Sequence, residues 1–252
     1  MNASAIHYWT ASDGVKLAWR EMGEGRPVVL VHGLFSDGVT NWIKFGAAEA
    51  VAEAGFRVIM PDLRAHGLSD RPHDRALYSD GILGRDLTEL VAHLDLADYD
   101  LGGFSLGART VVQAVGEGLT PRRAMLAGMG LEGLTGWLRR KHFFLDAIAK
   151  VETSSRGDPH WLAIQFMKTM KVDLEAAKLL LPTFTDAAPE WLAAFTMPTL
   201  VLCGTEDTDN GSAPRLAEAL PDATYAPVPG THMSSVTKSE FGAAIALFLG
   251  AT

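Results

Sequence analysis

Residues 100–110 read DLGGFSLGART, and the five residues from Gly103 to Gly107 fit the pattern GxSxG. The apolar stretch YDLGG precedes the serine and LGARTVVQAVGEG follows it, so the context predicts a strand, a sharp turn and a helix. A serine in such a turn exposes its hydroxyl at the edge of a sheet, and the flanking glycines leave room for the bend. The stretch therefore predicts an α/β sheet with Ser105 as a nucleophile on one of its turns.

The rest of the chain alternates short apolar runs with stretches long enough for helices. Two segments, IHYWTA and VKLAWREM, flank a turn at residues 12–14 and predict an antiparallel hairpin. Continuous apolar runs are typical of parallel strands buried on both faces, so the remainder predicts a doubly wound sheet with helices on both faces. The predicted strands are VVLVHG, FRVIMPD, YDLGG, RRAMLAG, TLVLCG and ATYAPVPG. The predicted helices cover about 40–54, 80–94, 106–118, 212–219 and 235–249.

The interval from Gly130 to Thr196 breaks this alternation. It contains no strand-like run, and its aromatic residues and methionines recur at roughly helical spacing. Because it lies between two strands, we expect a helical cap beyond their carboxyl ends, where α/β sheets bind ligands. Alternatively, these side chains form only the core of the insertion and its contact with the sheet. The expected domains are a core of residues 1–129 with 197–252 and a cap of residues 130–196.

The composition indicates a globular protein without a nucleic-acid or membrane partner. Its 252 residues are 48% hydrophobic, and the formal net charge is -8, with one short basic cluster at residues 139–141. The single cysteine, Cys203, lies in an apolar run, which predicts a buried thiol in a reducing compartment. No apolar run reaches the length of about 18 residues that a membrane span needs, and no signal-peptide pattern is present. We therefore expect a cytoplasmic protein.

A serine nucleophile needs a base, and the base needs a carboxylate that holds its tautomer. After a serine turn of this kind, the acid follows a later strand and the histidine lies near the C-terminus. The segments TLVLCGTEDTD and APVPGTHMSSV supply Asp207 and His232 in that order. Asp209, Glu206 and, after the preceding strand, Glu132 stay open as alternatives for the acid.

The turn in VVLVHGLF supplies a second part of the predicted site. The backbone N–H groups of Leu34 and Leu106 follow neighbouring strands and can point into one cavity, so they predict an oxyanion hole. His32 and His66 precede the serine, so chain order argues against either as the base, and we expect His32 to brace its loop by hydrogen bonding. Surface or packing positions are expected for His7, His73, His93, His142 and His160.

The motifs HGLF, PDLRAHGLSD, GFSLG, GTED and GTH, in this order, resemble the α/β-hydrolase superfamily. The resemblance covers most of the chain outside the cap. It implies a mostly parallel eight-stranded sheet with the cap inserted after the sixth strand. It also implies a triad of Ser105, Asp207 and His232, with the oxyanion hole formed by Leu34 and Leu106.

The second of these motifs departs from the superfamily pattern at one position. PDLRAHGLSD resembles the loop PDxRGHGxS, with Ala65 where glycine is more usual. We expect Asp62 and Arg64 to fix loops by ion pairing. Arg109, where a small residue often follows the serine turn, is expected either behind the site or at the surface.

The resemblance and the complete triad predict a serine hydrolase that cleaves a small, largely apolar carboxylic ester or lactone through an acyl-enzyme. This chemistry needs no metal or organic cofactor. The oligomeric state, monomer or homodimer, stays open. The side chains expected to shape the substrate pocket are Phe35, Phe104, Trp137, Phe143 and Trp161.

Other reactions of the superfamily fit these residues less well. Members that resemble haloalkane dehalogenases and epoxide hydrolases have an aspartate at the position of Ser105. Carbon–carbon hydrolases of the meta-cleavage type commonly carry an HGxGPG-type loop and a tryptophan after the base, whereas this chain has HGLFSDG and Met233. Three alternatives remain: that carbon–carbon hydrolase, a perhydrolase in which peroxide attacks the acyl-enzyme, and a non-catalytic small-molecule receptor.

Overall fold

Eight strands form one sheet in the computed structural model, which describes residues 5–251. The apolar runs of the sequence supply these strands, and the initial hairpin supplies the first two. Their bounds are β1 (Ile6–Thr10), β2 (Lys16–Met22), β3 (Arg26–Val31), β4 (Phe56–Asp62), β5 (Asp100–Phe104), β6 (Ala124–Ala127), β7 (Thr199–Gly204) and β8 (Ala223–Val228).

The strand order across the sheet is β1-β2-β4-β3-β5-β6-β7-β8. Strand β2 runs antiparallel to both of its neighbours, and every other neighbouring pair is parallel. The predicted hairpin and the predicted mostly parallel eight-stranded sheet are therefore confirmed. Strand β5 lies between β3 and β6, so the turn that follows Phe104 stands among the carboxyl ends of the parallel strands.

Eleven α-helices occur within the described residues. Among the described residues, none of these helices combines the length and the apolar composition that a membrane span requires. Single turns of other helix types lie at 39–43, 75–77 and 181–183. The helices are α1 (Ala47–Glu53), α2 (Ile82–His93), α3 (Leu106–Gly116), α4 (Leu131–Thr135), α5 (Trp137–Ala149), α6 (Trp161–Thr169), α7 (Leu174–Leu180), α8 (Pro189–Ala193), α9 (Ala213–Ala219), α10 (His232–Ser235) and α11 (Ser239–Gly250).

Two predicted helices differ from those observed. The stretch predicted as helical over 40–54 is interrupted at Gly46, whose φ of 81° is left-handed, and only Ala47–Glu53 forms an α-helix. The helix predicted over 235–249 begins instead at Ser239, after the separate short helix His232–Ser235. The predicted helices over 80–94, 106–118 and 212–219 are confirmed to within two residues at each end.

The sheet is buried on both faces, as its continuous apolar runs predict. Along β3, Val28 and Leu30 belong to the apolar cluster under α1 and α11, whereas Val29 and Val31 belong to the cluster under α2 and α3. All four side chains are fully buried. Alternation of this kind is what a strand between two helix layers requires, so the doubly wound arrangement is confirmed.

The segment between β6 and β7, all of which the structure describes, contains the five helices α4 to α8 and no strand. Helices α5, α6 and α7 share an apolar cluster of their own, in which Phe35 from the sheet side also takes part. Helix α8 instead packs on α3, where a Cβ atom at Gly116 would lie 2.3 Å from Trp191 Cγ. The division into domains at residues 130 and 196 stays a prediction.

Candidate active site

The turn at Ser105 is held in a strained conformation by its surroundings. Ser105 has φ 55° and ψ -110°, which a non-glycine residue rarely adopts, and its N–H donates to the carbonyl of Ala127 at 2.8 Å. A Cβ atom at Gly103 would lie 2.2 Å from the carbonyl carbon of Gly107, and one at Gly107 would lie 2.1 Å from Val31 O. The predicted need for glycine at both positions is confirmed.

A chain of hydrogen bonds joins Ser105, His232 and Asp207. His232 Nε2 lies 3.1 Å from Ser105 Oγ, and His232 Nδ1 lies 2.8 Å from Asp207 Oδ2. Asp207 follows β7, and His232 begins α10 after the turn at Gly230. Burial raises the pKa of Asp207, but the hydrogen bond and charge of His232 outweigh it and lower that pKa below its usual value. The carboxylate is therefore ionised at neutral pH.

The other acidic residues considered for this position do not reach His232. Asp209 is exposed and uses its backbone N–H to donate to Asp207 Oδ1 at 3.0 Å. Glu206 is exposed. Glu132 pairs with Arg215 on α9. Of the four acids, the structure brings only Asp207 into contact with His232.

Two buried side chains surround the His232 and Asp207 pair. Cys203 Sγ lies 3.4 Å from Asp207 Oδ2, and burial raises the pKa of this thiol to about 12, so it stays protonated and donates a hydrogen bond to the carboxylate. Phe104 packs its ring 4.8 Å from the His232 ring. Cys203 is buried, as predicted. Phe104, expected at the substrate, lies against the imidazole and fixes its position.

The loop after β3 leaves one N–H group free next to Ser105. Gly33 N–H donates to Asn41 Oδ1 at 3.0 Å, and Phe35 N–H donates to His66 Nε2 at 3.0 Å. The N–H groups of Leu34 and Leu106 have no hydrogen-bond partner within residues 5–251. Both residues line the cavity that contains Ser105. Two donors are thus available for a negatively charged oxygen formed at the serine.

Two buried histidines tie the loop after β3 to the loop after β4. His32 accepts from Leu63 N–H at 3.0 Å and donates to the carbonyl of Gly33 at 2.8 Å. His66 accepts from Phe35 N–H and donates to the carbonyl of Arg64 at 2.9 Å. Burial lowers the pKa of His32 to about 4 and that of His66 to about 3, so both rings are neutral. The expectation that His32 braces its loop is confirmed, and His66 does the same from the opposite loop.

The two charged residues of the PDLRAHGLSD loop act differently from each other. Arg64 is fully buried and pairs with Asp86 and Asp13, each at 2.8 Å, as expected. Asp62 makes no ion pair within the described residues. Its carboxylate instead accepts from the N–H groups of Gly38 and Leu68, each at 2.8 Å. The expected ion pairing of Asp62 is therefore wrong, although the residue does fix two loops, because backbone donors supply its partners.

Three neighbouring turns at the carboxyl edge of the sheet contain a non-glycine residue with a left-handed φ. These residues are Phe35 at 61°, Ala65 at 67° and Ser105 at 55°, after β3, β4 and β5. Such conformations cost on the order of 1 kcal/mol or more each. The sheet therefore concentrates backbone strain at the edge where the hydrogen-bonded serine lies.

The cavity that contains Ser105 is small, about 20 Å³, which is room for about one water molecule. A larger cavity of about 260 Å³ lies between the loop after β3 and residues 170–172 of the helical insertion, and it does not include Ser105. The cavity at Ser105 is lined by Leu34, Leu106, Arg109, Met129, Gly133, Trp137, Arg140, Phe144 and Asn210.

The aromatic residues expected at the substrate fall into different places. Trp137 lines the Ser105 cavity, and Phe35 lines the larger one. Phe143 and Trp161 line neither of these cavities. Phe143 packs on His160, with ring centroids 4.7 Å apart, and Trp161 lies 6.0 Å from the guanidinium of Arg156. Helix α5 points Phe144, the neighbour of Phe143, toward the serine instead.

Two lining residues, Arg109 and Arg140, were not expected to line the pocket. Arg109 lies four residues after Ser105 on α3, and side chains at this spacing share a helix face, so the sequence did contain a signal for it. Arg140 lies on α5, and only the folded structure brings it to the serine. The expectation that Arg109 lies behind the site or at the surface is wrong, because its side chain lies in the wall of the cavity.

Three potential metal ligands meet at this site, since donor atoms of Asp207, Asp209 and His232 lie within 4.8 Å of one another. His232 and Asp207 use the facing atoms for their 2.8 Å hydrogen bond. Asp207 also accepts from the N–H of Asp209. Hydrogen bonding therefore accounts for this cluster, and the arrangement is suited to proton transfer from a serine hydroxyl.

Residues 26–148 of the chain match the alpha/beta hydrolase fold family. The same residues include β3 to β6 and the turn at Ser105. The chain belongs to the α/β-hydrolase superfamily. Among curated relatives, this superfamily member is 36% identical over 115 residues to a non-heme chloroperoxidase of Kitasatospora aureofaciens, a match that covers 45% of this chain and 39% of the relative.

A second relative of this α/β-hydrolase superfamily member is an epoxide hydrolase of Caballeronia sordidicola, 36% identical over 101 residues. The match covers 40% of this chain and 30% of the relative, so the chain matches less than half the length of either protein. Among solved structures, a thermophilic esterase from Thermogutta terrifontis superposes with a TM-score of 0.78 at 23% identity, covering 98% of each chain. This likeness shows the shared fold.

Proposed function

We propose that the protein is a serine hydrolase that cleaves a small, largely apolar carboxylic ester or lactone through an acyl-enzyme intermediate. The observation that carries this proposal is the hydrogen-bonded chain from Ser105 Oγ through His232 to the carboxylate of Asp207, at 3.1 Å and 2.8 Å. A strained serine turn, an imidazole and a buried carboxylate in contact are what nucleophilic attack by a hydroxyl requires.

In the first half of the proposed reaction, Ser105 Oγ attacks the ester carbonyl and His232 Nε2 takes the hydroxyl proton. Asp207 accepts a hydrogen bond from His232 Nδ1, keeps Nε2 free to act as the base, and stabilises the imidazolium that forms. Because its pKa is lowered, Asp207 carries the negative charge that this role needs. His232 then gives its proton to the departing alkoxide, which leaves an ester on Ser105.

The tetrahedral intermediate places a negative charge on the former carbonyl oxygen. The unpartnered N–H groups of Leu34 and Leu106 are proposed to donate to it, and each such donor contributes roughly 3–4 kcal/mol to transition-state stabilisation. The amino end of α3, which begins at Leu106, adds a favourable dipole. In the second half, His232 takes a proton from water as the water oxygen attacks the acyl carbonyl; the bond from the acyl carbon to Ser105 Oγ then breaks, the free acid leaves, and His232 returns the proton to Oγ.

An ester is larger than the space now present beside Ser105, so binding must widen the cavity. Helix α5 supplies three of its walls through Trp137, Arg140 and Phe144. The rings of Trp137 and Phe144, together with Leu34 and Leu106, form apolar walls that suit a largely apolar substrate.

A perhydrolase is the second candidate, favoured by the similarity to a chloroperoxidase. In that reaction, hydrogen peroxide attacks the acyl-enzyme in place of water and releases a peracid. The similarity to an epoxide hydrolase does not favour epoxide opening, since this chain has Ser105 where resembling epoxide hydrolases have an aspartate. A carbon–carbon hydrolase of the meta-cleavage type or a non-catalytic receptor would bind its ligand in the same cavity at Ser105.

The test is turnover of a panel of nitrophenyl esters and lactones by the parent and by Ser105→Ala. We expect kcat to fall by roughly 10⁵-fold or more in the variant, as for other serine nucleophiles. Ser239→Ala, at the exposed start of α11, is the control and should retain the parent rate. A fluorophosphonate probe should label the parent at Ser105, as peptide mass spectrometry would show.

Equal hydrolysis by parent and Ser105→Ala would overturn the nucleophile assignment. Tight binding of small molecules without turnover, in a protein whose serine still reacts with the probe, would favour the receptor alternative. Addition of peroxide separates the perhydrolase candidate, because a peracid would then form at the expense of the free acid.

A further inference from the structure

The cavity at Ser105 contains a buried guanidinium that the proposed acyl transfer does not use. Arg109 follows the serine by one helical turn, and its backbone N–H donates to the carbonyl of Ser105 at 3.1 Å. Its side chain therefore lies on the same face of α3 as the serine and lines the same cavity. Only 7% of the residue is exposed.

Arg109 has no carboxylate partner despite its burial. Its Nη1 and Nη2 donate to the backbone carbonyls of Thr185 and Gly133, and its Nε has no partner among the described residues. No carboxylate oxygen lies within 4.0 Å of the guanidinium in residues 5–251. Burial lowers the pKa of Arg109 to about 10, which still leaves it protonated at neutral pH. A buried charge without a counter-ion is costly, so this guanidinium would bind an anion that enters the cavity.

A second guanidinium reaches the cavity from the helical insertion. Arg140 on α5 donates to the backbone carbonyl of Asp209 and lies 5.7 Å from the ring of Phe144. Burial lowers the pKa of Arg140 as well. Like Arg109, it forms no ion pair in the part of the chain that the structure describes. Two cations from different elements thus face one cavity.

The acidic residues near these arginines are engaged elsewhere or exposed. Asp207 is occupied by His232 at 2.8 Å, and Asp186 accepts from Trp137 N–H at 2.7 Å. The side chain of Asp209 is exposed. None of the three lines the cavity, so Arg109 and Arg140 are the charged groups in its wall. The wall is therefore positively charged although the chain as a whole carries a net charge of -8.

We propose that the substrate is an ester or lactone that also carries a carboxylate, which Arg109 and Arg140 bind while the reacting carbonyl lies at Ser105. This inference rests on the proposed serine hydrolase and names its substrate class. A planar guanidinium donates two parallel hydrogen bonds to a carboxylate, which orients as well as attracts it. The apolar side chains of Leu34, Leu106 and Trp137 contact the carbon chain between the two ends.

A structural role for Arg109 makes a different prediction. Its bonds to Thr185 and Gly133 also tie α3 to the segment between β6 and β7. Loss of such a tie would slow hydrolysis of charged and neutral esters alike. Discrimination between them is therefore the readout that separates substrate recognition from structural support.

The experiment compares half-esters of dicarboxylic acids, from monoethyl succinate to monoethyl adipate, with the matching ω-carboxamide esters. The carboxamide has nearly the same shape as the carboxylate and no charge. Acid release is followed in a pH-stat at neutral pH for the parent protein, Arg109→Met, Arg109→Lys, Arg140→Met and Arg139→Met. Arg139 is the matched control, since it adjoins Arg140 on α5 but is exposed and does not line the cavity.

For the parent, we expect kcat/KM for the best half-ester to exceed that for its amide by roughly tenfold or more, mainly through KM. Arg109→Met and Arg140→Met should each reduce this ratio at least severalfold, and Arg109→Lys should restore part of it. Arg139→Met should leave the ratio unchanged. Arg140→Met tests the proposal independently should Arg109→Met fail to fold.

A parent that prefers the amides, or a preference that both methionine variants retain, would overturn the carboxylate proposal. In that case, hydrolysis of neutral esters and probe labelling of Ser105 would leave the serine hydrolase standing. Absence of hydrolysis for every ester, together with an unlabelled Ser105, would overturn both proposals.

Discussion

Two buried polar regions lie side by side at the carboxyl edge of the sheet, and each contains an arginine and a histidine. One region, called the brace below, consists of His32, Arg64 and His66 in the loops after β3 and β4. Arg64 pairs with two carboxylates, and His32 uses both ring nitrogens for hydrogen bonds to backbone groups. In the cavity at Ser105, Arg109 has no carboxylate partner, and His232 contacts the side chains of Ser105 and Asp207. The polar side chains of the brace find their hydrogen-bond partners within the chain. At the cavity, Arg109 Nε and the N–H groups of Leu34 and Leu106 have no partner among the described residues.

The largest expected effect is the loss of kcat when Asp207, next to the cavity at Ser105, is replaced. Asp207→Asn should lower kcat by about 10⁴-fold, because an amide cannot keep His232 in the tautomer that accepts the serine proton. Asp209→Asn removes a neighbouring, exposed carboxylate and should change kcat by less than about threefold. The measurement is steady-state hydrolysis of a nitrophenyl ester. A collapse of kcat in Asp209→Asn alone would identify Asp209 as the acid instead.

On the brace side, Arg64→Met should cost about 3–5 kcal/mol in the free energy of unfolding, because it leaves the carboxylate of Asp86 buried without its partner. The control is Arg57→Met, which breaks a partly exposed pair with Glu21 and should cost about 1 kcal/mol or less. Urea unfolding of the three proteins provides the comparison. An equal decrease in the free energy of unfolding in both variants would mean that the buried Arg64 pair contributes no more to stability than the partly exposed Arg57 pair.

The neutral histidines of the brace should make stability depend on pH. In the native protein the pKa of His32 is about 4, whereas an unfolded histidine has the usual value of about 6.5. Between these two pKa values the unfolded chain binds a proton that the native chain does not. The contribution of His32 to the free energy of unfolding is therefore fully present above about pH 6.5 and is lost as the pH falls toward 4.

Between pH 7 and pH 5 this linkage amounts to about 2 kcal/mol for His32. Urea midpoints of the parent and of His32→Gln, measured across this range, test it. The variant should show a flatter profile, since glutamine does not titrate. Parallel profiles would show that His32 does not contribute to the acid sensitivity.

The smallest effect concerns the strained alanine between Arg64 and His66, in the loop after β4. Ala65 has a left-handed φ of 67°, and Ala65→Gly should raise the free energy of unfolding by about 0.5–1 kcal/mol through relief of strain. Ala11→Gly, at another buried alanine, should instead destabilise the protein. Thermal unfolding measures both changes, and a loss of stability in Ala65→Gly would show that the turn imposes no such strain.

The sequence was sufficient for the features that local patterns encode. Apolar runs predicted the parallel strands, and the motif around Ser105 predicted its turn, because strand burial and glycine clearance are properties of a few consecutive residues. Chain order also predicted that an acid after a late strand would meet His232, with Asp207 as the first choice among several, and the structure places Asp207 and His232 in contact at 2.8 Å.

The helical insertion was less predictable in its detail. Aromatic residues occur on several faces of its helices, so composition alone could not show that Phe144, and not Phe143, would face the serine. Arg140 is 35 positions from Ser105 in sequence, and its place in the cavity depends on how α5 packs. Side chains that meet through tertiary packing leave no periodic signal in the sequence.

The serine turn also determines where variation can be tolerated. Even one methyl group at position 103 would enter the backbone of α3, and one at position 107 would enter the backbone at the end of β3, so any replacement there must move a helix or a strand. Phe104 and Leu106 contact side chains, and these can adjust to a different neighbour. Mutations that reshape this site while keeping Ser105 should therefore accumulate at 104 and 106, between two glycines that stay fixed.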